Sequence, residues 1–296
     1  MSTNSSWPEF DLRYSKEQLQ LVEPLEWLEF ESQAIYKINN NIVKTGGNTE
    51  MAEALTMKIV GEKTSVPVPR VLNAYRHESG YGGTHGTIIM EQVEGEELGN
   101  IWDDVTSEEK SAIIEQLRGY MEELHAIEGS FIGSVNNTMC EDLMLNLHLG
   151  AFDRYDNEAS FHEDIIKALR KYEDEESAKW RSGQRELLKG PKVDLVADFF
   201  RALPPHKIVL THGNLKPRNI LVREGKVVAI TGWDAAGYYP EYWDYMKAYY
   251  KAFPGCRWDR DRASDFDWHK DRAIDKILKP FPLELAVLMH AQNVLQ

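Results

Sequence analysis

Short apolar runs separated by turn residues fill roughly the first ninety positions of the chain, and 3.6-period stripes dominate after them. Ile35-Tyr36-Lys37-Ile38 and Ile42-Val43-Lys44 flank Asn39-Asn40-Asn41. Asparagine tolerates positive φ, so the pattern predicts a β-hairpin. Met51, Leu55 and Ile59 fall at i, i+4 and i+8, which predicts a helix over Glu50–Val60 with Gly61 as its stop. Val66-Pro67-Val68-Pro69 is extended by proline geometry. Val71–Tyr75 and Thr87–Met90 read as two further strands, joined through Gly80-Tyr81-Gly82-Gly83.

Beyond Glu91-Gln92-Val93-Glu94-Gly95 the pattern becomes mostly helical. Thr106 and Glu109 have capping-box spacing, and Ile113, Ile114, Leu117, Met121 and Leu124 form one apolar stripe behind them. Residues 126–165 are largely irregular and turn-rich. Phe161–Trp180 and Lys192–Leu203 read as helices, the first carrying a charged run, Glu173–Glu176, that suits a solvated face. Lys207–Leu210 reads as a buried strand. Ile220–Val222 and Val227–Ile230 flank Arg223-Glu224-Gly225-Lys226 as a second hairpin, and the chain from Tyr239 on reads as aromatic-rich helix. This order predicts an α+β architecture of two lobes: a β-rich N-terminal lobe over 1–91 and a helical C-terminal lobe over 92–296. A cleft between them, around 88–98, is the expected ligand site.

Composition narrows the function classes. The chain has 296 residues, 34 lysines and arginines against 48 aspartates and glutamates, and a net charge of −14. Such a surface repels phosphate backbones and anionic lipid, so neither nucleic acid nor membrane is expected as a partner. A small-molecule ligand or substrate is expected instead, and oligomeric state is not readable. Two cysteines, Cys140 and Cys256, and a polar start over Met1–Gln20 lead to the expectation of a reduced, cytoplasmic protein. The nine histidines are scattered without metal-binding spacing, so no metal site is expected.

The most informative stretch runs from Thr211 to Val222, T-H-G-N-L-K-P-R-N-I-L-V. Ile230-Thr231-Gly232-Trp233-Asp234 follows, and then Gly237–Tyr245, G-Y-Y-P-E-Y-W-D-Y. Together these segments resemble the catalytic loop and metal-binding segment of the aminoglycoside phosphotransferase family, which has the protein-kinase-like fold. The resemblance is to a fungal branch that reads T-H-G-D-L-x-P-R-N-I-L-V and I-D-W-E-x-A-G-x-Y-P-E-Y-W-E-Y. Lys44, Glu53, Thr64–Val71, the hinge-like Met90–Leu98 and Phe131–Val135 extend it over most of the chain.

The resemblance implies roles residue by residue. Phosphoryl transfer from ATP needs a lysine on the phosphates, a glutamate aiming it, oxygens holding Mg²⁺ and a carboxylate for the acceptor hydroxyl. Lys44, Glu53 and Asn219 occupy the cofactor-binding positions; their plainer roles are a surface lysine, a solvated helix glutamate and an amide tying a loop. The family's catalytic aspartate is Asn214 here, and its metal-binding aspartate is Gly232. An amide orients a hydroxyl without taking its proton, and losing a general base typically costs ~10²–10⁴ in rate. Gly232 supplies no ligand. In an extended segment Asp234 would lie about 6.6 Å beyond residue 232, at ~3.3 Å per residue, too far to replace it. His212 is either a catalytic-loop participant or a residue locking that loop through backbone bonds. Asp244 is expected to brace its own helix. The Asn39–Asn41 turn leaves little loop to cover phosphates.

Three functions follow. The expectation placed first is a degenerate member of the family whose pocket serves an ATP- and metal-independent reaction on a small apolar metabolite, such as a cyclisation, pericyclic step or isomerisation in secondary metabolism. Asn214, His212 and Asp234 would be its catalytic residues and no cofactor would be needed. The alternatives are a non-catalytic binder of a ligand or partner, and an atypical phosphotransferase using ATP and Mg²⁺.

Overall fold

β-Branched and aromatic residues in short alternating runs build the first lobe. The structure, a computed structural model, describes residues 12–15, 18–19, 22, 25–28, 33–47, 49–78, 83–142, 152–179, 193–249 and 271–294. Strands β1 (Glu26–Leu28), β2 (Gln33–Ile38), β3 (Asn41–Gly46), β4 (Val71–Glu78) and β5 (Thr84–Glu91) form one antiparallel sheet in the order β1-β2-β3-β5-β4. Asn39, at φ 54, makes the β2–β3 turn. That turn sits against the segment leading to the second lobe, where the Gln92 N–H donates to the Asn40 carbonyl at 2.9 Å. The chain between β1 and β2, residues 29–32, lies outside the described residues, as do 79–82 of the predicted glycine turn and Cys256.

Helix α1 (Met51–Lys63) packs on β4 and β5. It runs through Gly61, where a stop was expected. The stop comes at Thr64, whose N–H and hydroxyl both donate to the Val60 carbonyl. Gly61 serves packing instead: a Cβ there would stand 3.3 Å from Val68, so the bare backbone lets the proline-extended strap pass close.

The second lobe begins with β6 (Glu96–Glu97) and α2 (Leu98–Ile101), then α3 (Ser107–His125). A full capping box between Thr106 and Glu109 starts α3, and Ile113, Leu117, Met121 and Leu124 bury its apolar stripe, with Ile114 at the margin. Helices α4 (Glu158–Lys179) and α5 (Val193–Ala202) follow. β7 (Ile208–Thr211) pairs with β10 (Gly237–Pro240), so the segment around Tyr239 is strand where helix was expected. Pairing with a buried partner outweighs local preference there. β8 (Ile220–Arg223) and β9 (Lys226–Ile230) make the second hairpin, with β6 at its edge. Helices α6 (Trp243–Tyr249), α7 (Ala273–Ile277) and α8 (Pro282–Val294) complete the described lobe. Phe161, Tyr239, Tyr242 and Trp243 are buried together, with Tyr239 stacked on Trp243 at 5.1 Å. No helix among the described residues is long and apolar enough to cross a membrane.

Candidate active site

Lys44 lies mid-strand in β3 opposite Ile88 of β5, on a sheet covered on both faces, so its ammonium is buried. A buried charge needs a partner. Glu53, in the first turn of α1, supplies it: Glu53 Oε2 accepts from Lys44 Nζ at 2.8 Å. Burial pushes the Glu53 carboxyl up, against the pull of Lys44. The helix N-terminus adds a favourable field for its anionic form.

The loop after β7 is held from below. Asp244, the second residue of α6, is buried and accepts the N–H of His212 at 3.0 Å, the N–H of Gly213 at 2.7 Å and His125 Nε2 at 2.9 Å. Burial pushes its carboxyl up, but these donors hold it below the ordinary carboxylate range. Asp244 therefore braces the loop rather than its own helix. Gly213, at φ +73, has no room for a side chain: a Cβ would stand 2.3 Å from the Ala235 carbonyl oxygen.

His212 spends both ring nitrogens on backbone. Nε2 donates to the Thr231 carbonyl at 2.9 Å and Nδ1 accepts from the Asn214 N–H at 3.1 Å. That pattern is a neutral imidazole, and burial pushes its basicity down in the same direction. Neither nitrogen is left to carry a proton to a substrate. Asn214 is half-buried at the loop's end, and its carbonyl accepts from Asn219 Nδ2 at 2.8 Å. Asn219 also receives the Thr231 N–H on its own carbonyl at 2.8 Å, so it stitches the loop to the end of β9.

The turn after β9 departs from the extended form expected from sequence. Gly232 is left-handed at φ +76, and Trp233–Ala235 form one 3₁₀ turn. A Cβ at Gly232 would stand 2.5 Å from Asn219 Nδ2, so the Asn219 amide occupies the space a side chain at 232 would need. The turn swings Asp234 toward the N-terminal lobe, and its Oδ2 lies 3.9 Å from Lys44 Nζ. Its Oδ1 is buried without a hydrogen-bond partner. Burial raises the Asp234 carboxyl, but Lys44, His212 and the backbone N–H groups of Asp234 and Ala235 together outweigh it and hold the group below its ordinary value. Lys44, Glu53 and Asp234 thus meet in one cluster, while His212, Asn214 and Asn219 form a second, loop-bound group. Asp244, His125 and Thr231 complete that group; Asp244 alone had a sequence signal, in the G-Y-Y-P-E-Y-W-D-Y run.

A strand-borne lysine salt-bridged to a helix glutamate, facing a loop of the form H-G-x-x-x-x-x-N, matches what comparison with known proteins finds. The phosphotransferase enzyme family, APH, matches residues 49–274. The chain belongs to this family. Among solved structures it is similar to a thermostable mutant of aminoglycoside phosphotransferase APH(4)-Ia in complex with AMP-PNP and hygromycin B, at TM-score 0.56 and 13% identity over 92% of this chain and 84% of that one. It is also similar to APH(2")-IIa in its streptomycin–ATP complex, at TM-score 0.52 and 13% identity over 79% and 75% of the two chains. The GDP complex of aminoglycoside 2'-phosphotransferase-IIIa gives TM-score 0.52 and 15% identity over 93% and 81%. No curated protein sequence matches. The family has the kinase-like fold, and the phosphate-binding half of its site fits the residues present: a buried ammonium held by Glu53. The metal half differs: Gly232 brings no ligand atom and the Asn219 amide fills the space beside it, which leaves the Asp234 carboxylate, 3.9 Å from Lys44, as the acid at this turn.

Proposed function

We propose that this protein is a ligand-binding member of the phosphotransferase family, with a cleft that takes a phosphate-bearing small molecule such as a nucleotide and does not transfer its phosphoryl group efficiently. The carrying observation is the buried Lys44–Glu53 pair at 2.8 Å, set against an amide, Asn214, at the position that should take a proton. Burying an ion pair is costly for stability alone, so its retention at the cleft supports a role toward an anion. The buried charges of Lys44, Glu53 and Asp234 make a polar lining, which suits a polar ligand better than the apolar metabolite expected from sequence.

Thermal unfolding with ADP or ATP, in EDTA and then in Mg²⁺, tests this reading. The expected result is a rise in melting temperature in EDTA that Lys44→Met abolishes, with ATP turnover far below the ~1–100 s⁻¹ of ordinary kinases. No shift at millimolar nucleotide, or turnover in the ordinary range, overturns it. One observation favours a second reading, a slow Mg²⁺-dependent phosphotransferase: Asp234 faces Lys44 with an oxygen to spare. Mg²⁺ is commonly held by one or two carboxylates with substrate phosphates. Under that reading Asp234→Asn abolishes any metal dependence of nucleotide binding. Under the first, it leaves the metal-free shift intact.

A further inference from the structure

Away from the candidate site, three mostly buried side chains share hydrogen bonds that their ordinary charge states cannot supply. His206 precedes β7 and its side chain is only 5% exposed. Its Nδ1 lies 2.8 Å from Glu158 Oε1 at the start of α4, and its Nε2 lies 3.1 Å from Glu284 Oε1 in the first turn of α8. The His206 backbone N–H also donates to Glu158 Oε2 at 2.9 Å. A carboxylate only accepts, and a neutral imidazole donates from one nitrogen. Both contacts are hydrogen bonds only if the trio holds one proton more than a neutral imidazole and two carboxylates.

Among the surrounding groups His162 also reaches the trio, its Nε2 lying 3.5 Å from Glu158 Oε1. From α4, His162 Nε2 is 2.6 Å from the Tyr242 hydroxyl, and its burial lowers its basicity. The nearby cations are committed elsewhere: Arg201 of α5 to Glu163, Lys207 to Glu128, Lys279 to Glu241, and Arg154 to Asp156. Tyr242 and Phe281 close over the His206 ring at 4.7 and 5.9 Å, and His290 of α8 faces Phe199 instead.

We propose that His206, Glu158 and Glu284 form a proton-dependent latch that fastens the C-terminal helix α8 to its lobe. Losing the shared proton sets an imidazole lone pair against a carboxylate oxygen, and α8 loosens. Helix α8 packs on α6, which carries the Asp244 brace, so the latch also stiffens the support of the site loop. The stabilisation is present at low pH and lost as pH rises.

Two measurements on the full chain, each followed as pH is raised, test the latch. Nitrogen-15 NMR of His206 should show both ring nitrogens protonated at the acidic end and one at the basic end. Amide exchange of α8, corrected for intrinsic rates, should gain about tenfold in opening over the same change, the scale of one charged hydrogen bond. Glu284→Gln, whose amide can donate or accept, should flatten that pH dependence. A His206 ring with one N–H throughout, or α8 protection that ignores pH in the wild type, overturns the proposal. Should the variant fail to fold, the wild-type ring and exchange data still decide.

Discussion

Gly232 and Asn219 contend for one small volume, and the outcome shapes the chemistry of the candidate site. The Asn219 amide fills the space beside Gly232, and the 3₁₀ turn that follows the left-handed Gly232 carries Asp234 to within 3.9 Å of Lys44. Gly232→Asp looks from sequence like a simple restoration of a metal ligand. The structure gives a different expectation: left-handed backbone and a 2.5 Å approach to Asn219 should destabilise it by about 1–3 kcal/mol. Urea unfolding checks this, and a variant as stable as wild type would show that the turn re-forms freely. Asp244 is the second residue with a disproportionate role. Its carboxylate holds two backbone N–H groups and His125, and removing one side of a buried charged set costs about 3–5 kcal/mol. Asp244→Ala should lose stability on that scale and speed exchange of the His212 and Gly213 amides. Unchanged protection at those two amides would mean that the loop holds itself.

At the scale of elements, what was legible in sequence had a local cause. The capping box at Thr106 and Glu109 is written in two side chains three residues apart, and α3 starts there. Thr106→Ala should cost about 0.5–2 kcal/mol in thermal or urea unfolding, and a smaller loss would mean that tertiary packing alone sets this end. The Asn39 hairpin and the β8–β9 hairpin are local in the same sense. The misses had distant causes. Gly61 reads as a helix stop, but its lack of a side chain answers to Val68 across the lobe. Tyr239 reads as helix because aromatic spacing is ambiguous, and it becomes strand by pairing with Val209. Within the site, motif order named Lys44, Glu53 and Asn219 as candidates, but that Lys44 meets Glu53 was not readable, since it depends on how α1 packs against β3. Nor was the turn that delivers Asp234, since it sits against a side chain from thirteen positions earlier.

Across the whole molecule the two lobes are tied unevenly. On one side the ties are neutral or fully paired: the Ile230 N–H donates to the Pro67 carbonyl at 2.7 Å, and Glu123 accepts both the N–H and the hydroxyl of Ser65. Elsewhere Glu141 of the C-terminal lobe is within electrostatic reach of the N-terminal lobe's Glu50 and Arg76, which pair with each other. Burial and then Glu50 push the Glu141 carboxyl up to about 7, with Arg76 opposing. An acid whose value is raised on folding binds its proton more tightly in the folded state. Stability should therefore decline as pH climbs from the ordinary carboxylate range, 4.5, to about 7, and then level off. Glu141→Gln mimics the protonated form without titrating. Its melting temperature should exceed that of wild type above pH 7 and match it below 4.5. The His206 latch gives a decline of the same sign, so the variants separate the two: Glu141→Gln leaves the α8 exchange profile untouched, and Glu284→Gln leaves the Glu141 contribution in place. A Glu141→Gln protein that tracks wild type at every pH would mean that water reaches this carboxyl freely and that the lobes meet there without electrostatic cost.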